Sequence, residues 1–75
     1  MGIKPVRYQD LEKFVLYAGC YFKRQKGSHR VYWRNDQTRP VIIPCYDAVP
    51  VFIIKNILRQ LHVPPEEYLR IMNEL

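Results

Sequence analysis

Leu11, Phe14, Val15 and Ala18 recur at i, i+3, i+4 and i+7, the stripe of a helix that buries one face. Asp10 and Glu12 stand near its start, where the helix dipole favours negative charge. Gly19 follows and can take the left-handed conformation that ends a helix, so the spacing predicts a helix from Tyr8 to Ala18. The period then changes. Tyr21 to Lys26 and His29 to Arg34 read as extended runs joined by a Gly27-Ser28 turn. The second run alternates, with His29, Val31 and Trp33 on one face and Arg30, Tyr32 and Arg34 on the other. Asn35-Asp36-Gln37-Thr38 is turn chemistry, and Pro40-Val41-Ile42-Ile43-Pro44 is a short strand bounded by prolines. After a loop over Cys45 to Pro50, Val51, Ile54, Ile57, Leu58 and Leu61 restore the helical period. Pro64-Pro65 interrupts it. Pro65 suits the first position of a last helix, with Glu66 and Glu67 in its first turn and Tyr68, Leu69 and Met72 as its stripe.

These elements give an α+β fold of order α-β-β-β-α, with a three-stranded antiparallel sheet and a short extra C-terminal helix. One sheet face is expected under the helices and the other open, the layout of double-stranded-RNA-binding domains, which by itself fixes no function. The 75 residues make one domain, 1–75, without a repeat or linker. A chain of this size buries roughly 60% of its unfolded surface, so its core is small.

Charge changes the picture because it is concentrated. Between Lys23 and Arg39 stand Lys23, Arg24, Lys26, Arg30, Arg34 and Arg39 against Asp36 alone, which accounts for the whole formal excess of +5. The rest of the chain is balanced. Tyr32 and Trp33 lie in the same stretch, and cations interleaved with aromatics suit a phosphate backbone with unstacked bases. The alternatives are a solvated charged hairpin and a docking face for an acidic protein.

Cys20 and Cys45 are far apart and form no metal or secretory pattern, so two reduced thiols are expected. A zinc site from Cys20, Cys45, His29 and His62 finds no support in the spacing, and neither metal nor cofactor is expected. No apolar run reaches the roughly 18 residues of a membrane span, which makes a cytoplasmic, membrane-free protein the expectation.

Two histidines remain. His62 stands at a helix end beside Val63-Pro64-Pro65, where a capping role suffices. His29 opens a strand directly after Gly27-Ser28, with Lys26 and Arg30 close by. Cutting RNA without a metal requires a base for the 2′-hydroxyl proton, an acid for the leaving 5′-oxygen and positive charge at the phosphorus. Imidazole supplies either proton transfer, and Lys and Arg supply the charge. A surface histidine that only binds phosphate fits the same residues.

Lys4-Pro5-Val6, Asp10-Leu11, Ala18-Gly19, Arg24-Gln25-Lys26-Gly27-Ser28-His29 with Tyr32, Ile42-Ile43-Pro44 and Ile57-Leu58-Arg59-Gln60, in that order, resemble the HicA (YcfA-like) family. The resemblance runs over nearly the whole chain, and its most specific piece is the Arg24–His29 run followed by Tyr32. It implies a double-stranded-RNA-binding-domain-like fold and an mRNA interferase toxin with His29 as catalytic residue. It also implies a HicB-like antitoxin that covers the site, so that a free monomer becomes a hetero-oligomer. Arg24, Lys26, Gly27, Ser28, Arg30 and Tyr32 are the expected RNA contacts. Whether His29 acts as base or acid is open, with Lys26, Ser28, Tyr32 and Tyr46 as candidates for the complementary role. Two positions depart from the family pattern. Pro44-Cys45-Tyr46 lacks a histidine common after the third strand, and Phe52-Ile53 replaces a glycine-threonine pair. A non-catalytic RNA-binding module is the alternative function.

Overall fold

The computed structural model describes residues 2–75. Its elements are α1 (Tyr8–Tyr17), β1 (Tyr21–Lys26), β2 (His29–Trp33), β3 (Val41–Pro44), α2 (Val51–Leu61) and α3 (Pro65–Glu74). The strands form one antiparallel sheet in the order β1-β2-β3, so the α-β-β-β-α arrangement with its extra helix is as expected. Ends differ by a residue. Ala18 is the C-cap of α1, β2 stops at Trp33, and β3 starts after Pro40. Gly19 takes φ +97° after the cap, and α3 begins at Pro65.

The cross-strand register assigns the faces. Tyr32 pairs with Phe22 and Val41, and Arg30 pairs with Gln25 and Ile43. This side meets the helices: Tyr32, Val41 and Ile43 are fully buried with Leu11, Phe14 and Val15 of α1. Ile54, Ile57, Leu58 and Leu61 of α2 complete the core with Tyr68 and Ile71 of α3. Leu69 and Met72, two of the three residues expected to form the α3 stripe, are only half-buried, and Ile71 takes the inner position beside Tyr68. The Phe14 and Tyr68 rings meet edge to face at 4.9 Å. The Tyr68 hydroxyl is buried without a hydrogen-bond partner among the described residues, and burial pushes it up to about 12.

Two arginines of the basic run hold this framework together. The Arg34 guanidinium grips Asp36 through two hydrogen bonds of 2.6 and 2.9 Å. It also donates to the carbonyls of Ala18 and Leu61, where α1 and α2 end, and a cation is favourable at a helix C-terminus. Arg30 donates to Glu12 of α1 at 2.7 Å, to Gln25 of β1 at 2.8 Å and to the Tyr32 hydroxyl at 3.0 Å. Its guanidinium lies 4.3 Å from the centre of the Phe22 ring. The Tyr32 hydroxyl donates in turn to Glu12. One carboxylate thus satisfies the two polar groups that β2 sends beneath the helix.

Burial alone would raise the Glu12 carboxyl. The hydrogen bonds from Tyr32 and Arg30 and the Arg30 charge outweigh it and hold the group below its ordinary value of 4.5. A depressed carboxylate contributes stability that is present above the unfolded value and lost as pH falls through the folded one. The stability gap between the wild type and Glu12→Gln is therefore expected to be largest near neutrality and to shrink below pH 4.5. Urea unfolding of both proteins across that range checks this. An equal gap at about pH 6 and about pH 3 would contradict it.

Candidate nucleic-acid interface

The sheet's other side carries the candidate chemistry. A two-residue turn, Gly27-Ser28, connects Lys26 to its cross-strand partner His29. Gly27 has φ +60° and Ser28 an ordinary φ, the pattern of a type II′ turn, which needs glycine first. An added Cβ at Gly27 would meet nothing within 4 Å, so backbone conformation rather than space demands the glycine.

The register shifts between Phe22 and Arg24, so Lys23 forms a bulge. Strict alternation would put Phe22, Arg24 and Lys26 on one face. The extra residue lets Phe22 pack against Tyr32 on the helix side of the sheet, where it stays partly exposed, while Arg24 pairs with Val31 and Lys26 with His29 on the open side. Period-two reading of the sequence missed this device, and no residue type at Lys23 announces it.

His29 is exposed and lies between two depressions. The first is a groove of about 630 Å³ lined by Arg24, Lys26, Gly27, Ser28, His29, Val31 and Ile42. The second is a cleft of about 560 Å³ between β3 and α2, lined by His29, Arg39, Pro40, Ile42, Pro44, Tyr46, Ile53, Asn56, Ile57, Arg59 and Gln60. The Ser28 carbonyl accepts from the Cys45 amide at 2.7 Å, which ties the turn to the end of β3 and brings Tyr46 into the cleft beside His29.

Arg24, Lys26, Gly27, Ser28 and His29 thus line one groove. Arg30 and Tyr32 do not join them. Tyr32 has no exposed surface, and Arg30 is spent on Glu12, Gln25 and Tyr32 beneath the other face. Burial, with the bond to Glu12, pushes the Tyr32 phenol up to about 12, so it keeps its proton at neutral pH and donates a hydrogen bond to the Glu12 carboxylate. The expectation that both residues contact RNA is corrected by their own alternation, which opposes them to His29. Of the residues offered for the complementary proton-transfer role, Lys26 and Ser28 share the groove with His29 and Tyr46 shares the cleft. Tyr32 is excluded by its position. Arg39 and Arg59 are cleft residues that sequence reasoning did not single out as contacts; Arg59 lies outside the basic run altogether.

Cys20 is buried, Cys45 half-buried, and neither is bonded to the other. No cluster of His, Cys, Asp and Glu that could hold a metal occurs among the described residues. Among the described residues, no helix is long and apolar enough to cross a membrane.

A family model described as HicA toxin of bacterial toxin-antitoxin matches residues 8–63, from the start of α1 to just beyond α2. No curated protein and no solved structure matches the chain.

The division between the faces has a measurable consequence. Arg30→Ala is expected to cost about 1–3 kcal/mol, because it strips a charged donor from Glu12 and Tyr32. Arg24→Ala and Lys26→Ala, both exposed, are expected to stay within about 0.5 kcal/mol of wild type. Chemical denaturation of the three variants checks the order, and equal losses would contradict it.

Proposed function

The chain belongs to the HicA toxin family of toxin–antitoxin systems, and we propose that it is an mRNA interferase that cleaves single-stranded RNA with His29 as its proton-transfer residue. The observation that carries this reading is the placement of His29 on the open sheet face, exposed, beside Arg24 and Lys26 on one side and Arg39 and Arg59 on the other. A strand laid over His29 would meet cations on both sides of the reacting phosphate.

In the reaction, the 2′-hydroxyl oxygen attacks the adjacent phosphorus and loses its proton. The bond from phosphorus to the 5′-oxygen breaks, and that oxygen takes up a proton. The products are a 2′,3′-cyclic phosphate and a free 5′-hydroxyl. His29 carries out one of the two proton transfers. Lys26, its cross-strand partner, would supply positive charge to the phosphorane, with Arg24 two positions along the ladder on the same face. The turn and the bond from the Cys45 amide to the Ser28 carbonyl hold the imidazole's backbone in place before RNA arrives.

A HicB-like antitoxin is the proposed partner. It would neutralise the toxin by covering the open face, offering negative charge to Arg24 and Lys26 and turning a free monomer into a hetero-oligomer.

Purified wild type and His29→Ala, incubated with a defined single-stranded RNA in EDTA, test the proposal. Wild type is expected to cut. His29→Ala is expected to lose about 100-fold or more of the rate while still binding RNA. The salt dependence of binding is expected to weaken in Arg24→Ala by about 0.7 in log–log slope, the share of one phosphate contact on a single strand. If His29→Ala cuts as fast as wild type, or if wild type binds RNA but leaves it whole, the proposed function fails. The second outcome would identify a binding module.

A further inference from the structure

Beyond the groove at Arg24 and Lys26, the cleft between β3 and α2 has features that backbone binding does not require. Its floor is apolar, from Ile42, Pro44 and Ile53, and Tyr46 stands at its edge with about half its surface exposed. Arg39 and Arg59 supply two guanidinium groups. The Arg59 guanidinium donates to Asn56 Oδ1 at 2.8 Å, which fixes the amide orientation and leaves the Asn56 Nδ2 protons for an acceptor. The cleft is also built, because Gln60 Nε2 donates to the carbonyls of Arg39 and Pro40 at 3.1 and 3.2 Å and clips α2 to the chain entering β3. Its volume of about 560 Å³ falls within the roughly 300–1,000 Å³ of ligand clefts.

An aromatic edge, an apolar floor, one amide with free donors and two cations match one kind of ligand: a planar base with polar edge atoms, joined to a phosphate. We infer that this cleft is a nucleotide subsite, which seats one unstacked nucleotide of the RNA next to the phosphate at His29. The base stacks against Tyr46 over Ile42 and Ile53, and Asn56 bonds its edge. Arg59 and Arg39 take the flanking phosphate. The adjacency to the cut bond rests on the ribonuclease reading above; the seating of a base in the cleft does not. Double-stranded RNA cannot use such a subsite, because its bases are stacked inside the helix, so the cleft selects single strands. It also gives the Ile57–Gln60 run a role: Ile57 and Arg59 line the cleft and Gln60 holds it shut at one end.

Short single-stranded RNAs carrying 2-aminopurine at each position in turn probe the subsite, read by fluorescence in the non-cleaving His29→Ala background. Stacking on Tyr46 is expected to quench one position selectively. Adding Tyr46→Ala is expected to abolish that quench and weaken binding about tenfold, within the range measured for base–aromatic stacking. Phe52→Ala is the control, since Phe52 is an exposed aromatic of α2 outside the cleft, and it is expected to leave both readouts unchanged. An unchanged quench and affinity in Tyr46→Ala, or equal losses in Phe52→Ala, would overturn the subsite. Because the assay involves no cleavage, its failure is separate from a failure of the wild type to cut.

Discussion

A carboxylate at Glu12 sits under the sheet and receives hydrogen bonds from both Arg30 and Tyr32. Burying one side of β2 against α1 is what makes the domain, and that side carries a guanidinium and a phenol that need partners there. Glu12 meets both needs from the second turn of α1, Gln25 shares the guanidinium, and Phe22 lies against its face. With that side of β2 fixed, the opposite side is fixed as well, because residues one apart along a strand point in opposite directions. His29, Val31 and Trp33 are then committed to the open face.

This constraint divides the charge excess. Of the six cations between Lys23 and Arg39, Arg30 and Arg34 act inside the fold, one at Glu12 and the other at Asp36 and the ends of two helices. Arg24, Lys26 and Arg39 line the depressions around His29, and Arg59 joins them from α2. A count of charges along the sequence therefore overstates what a polyanion meets in the basic run and omits a cation that lies elsewhere. The bulge at Lys23 is as important as the charges, since it turns Arg24 and Lys26 onto the face of His29.

Periodicity was enough to read the element order, because the apolar stripes of α1 and α2 and the Gly27-Ser28 turn are local signals. The left-handed end of α1 at Gly19 and the start of α3 at Pro65 were legible for the same reason. The site was legible only in part. Alternation in β2 already separated Tyr32 from His29, yet composition grouped them, and composition was misleading there. Glu12 was read through the helix dipole, whereas its partners lie 18 and 20 residues away, beyond any local pattern. The cleft depends on α2 lying beside β3, a tertiary contact made by Gln60 with carbonyls that no motif encodes.

Mapping RNA onto the protein by NMR tests the separation of the two faces most directly. Side-chain and amide resonances of the His29→Ala protein would be followed as an intact single-stranded RNA is added. The account predicts that Arg24, Lys26, Ile42 and Tyr46 shift while the side chains of Glu12, Arg30 and Tyr32 hold still. Large shifts at Glu12, Arg30 and Tyr32 with a silent open face would contradict it.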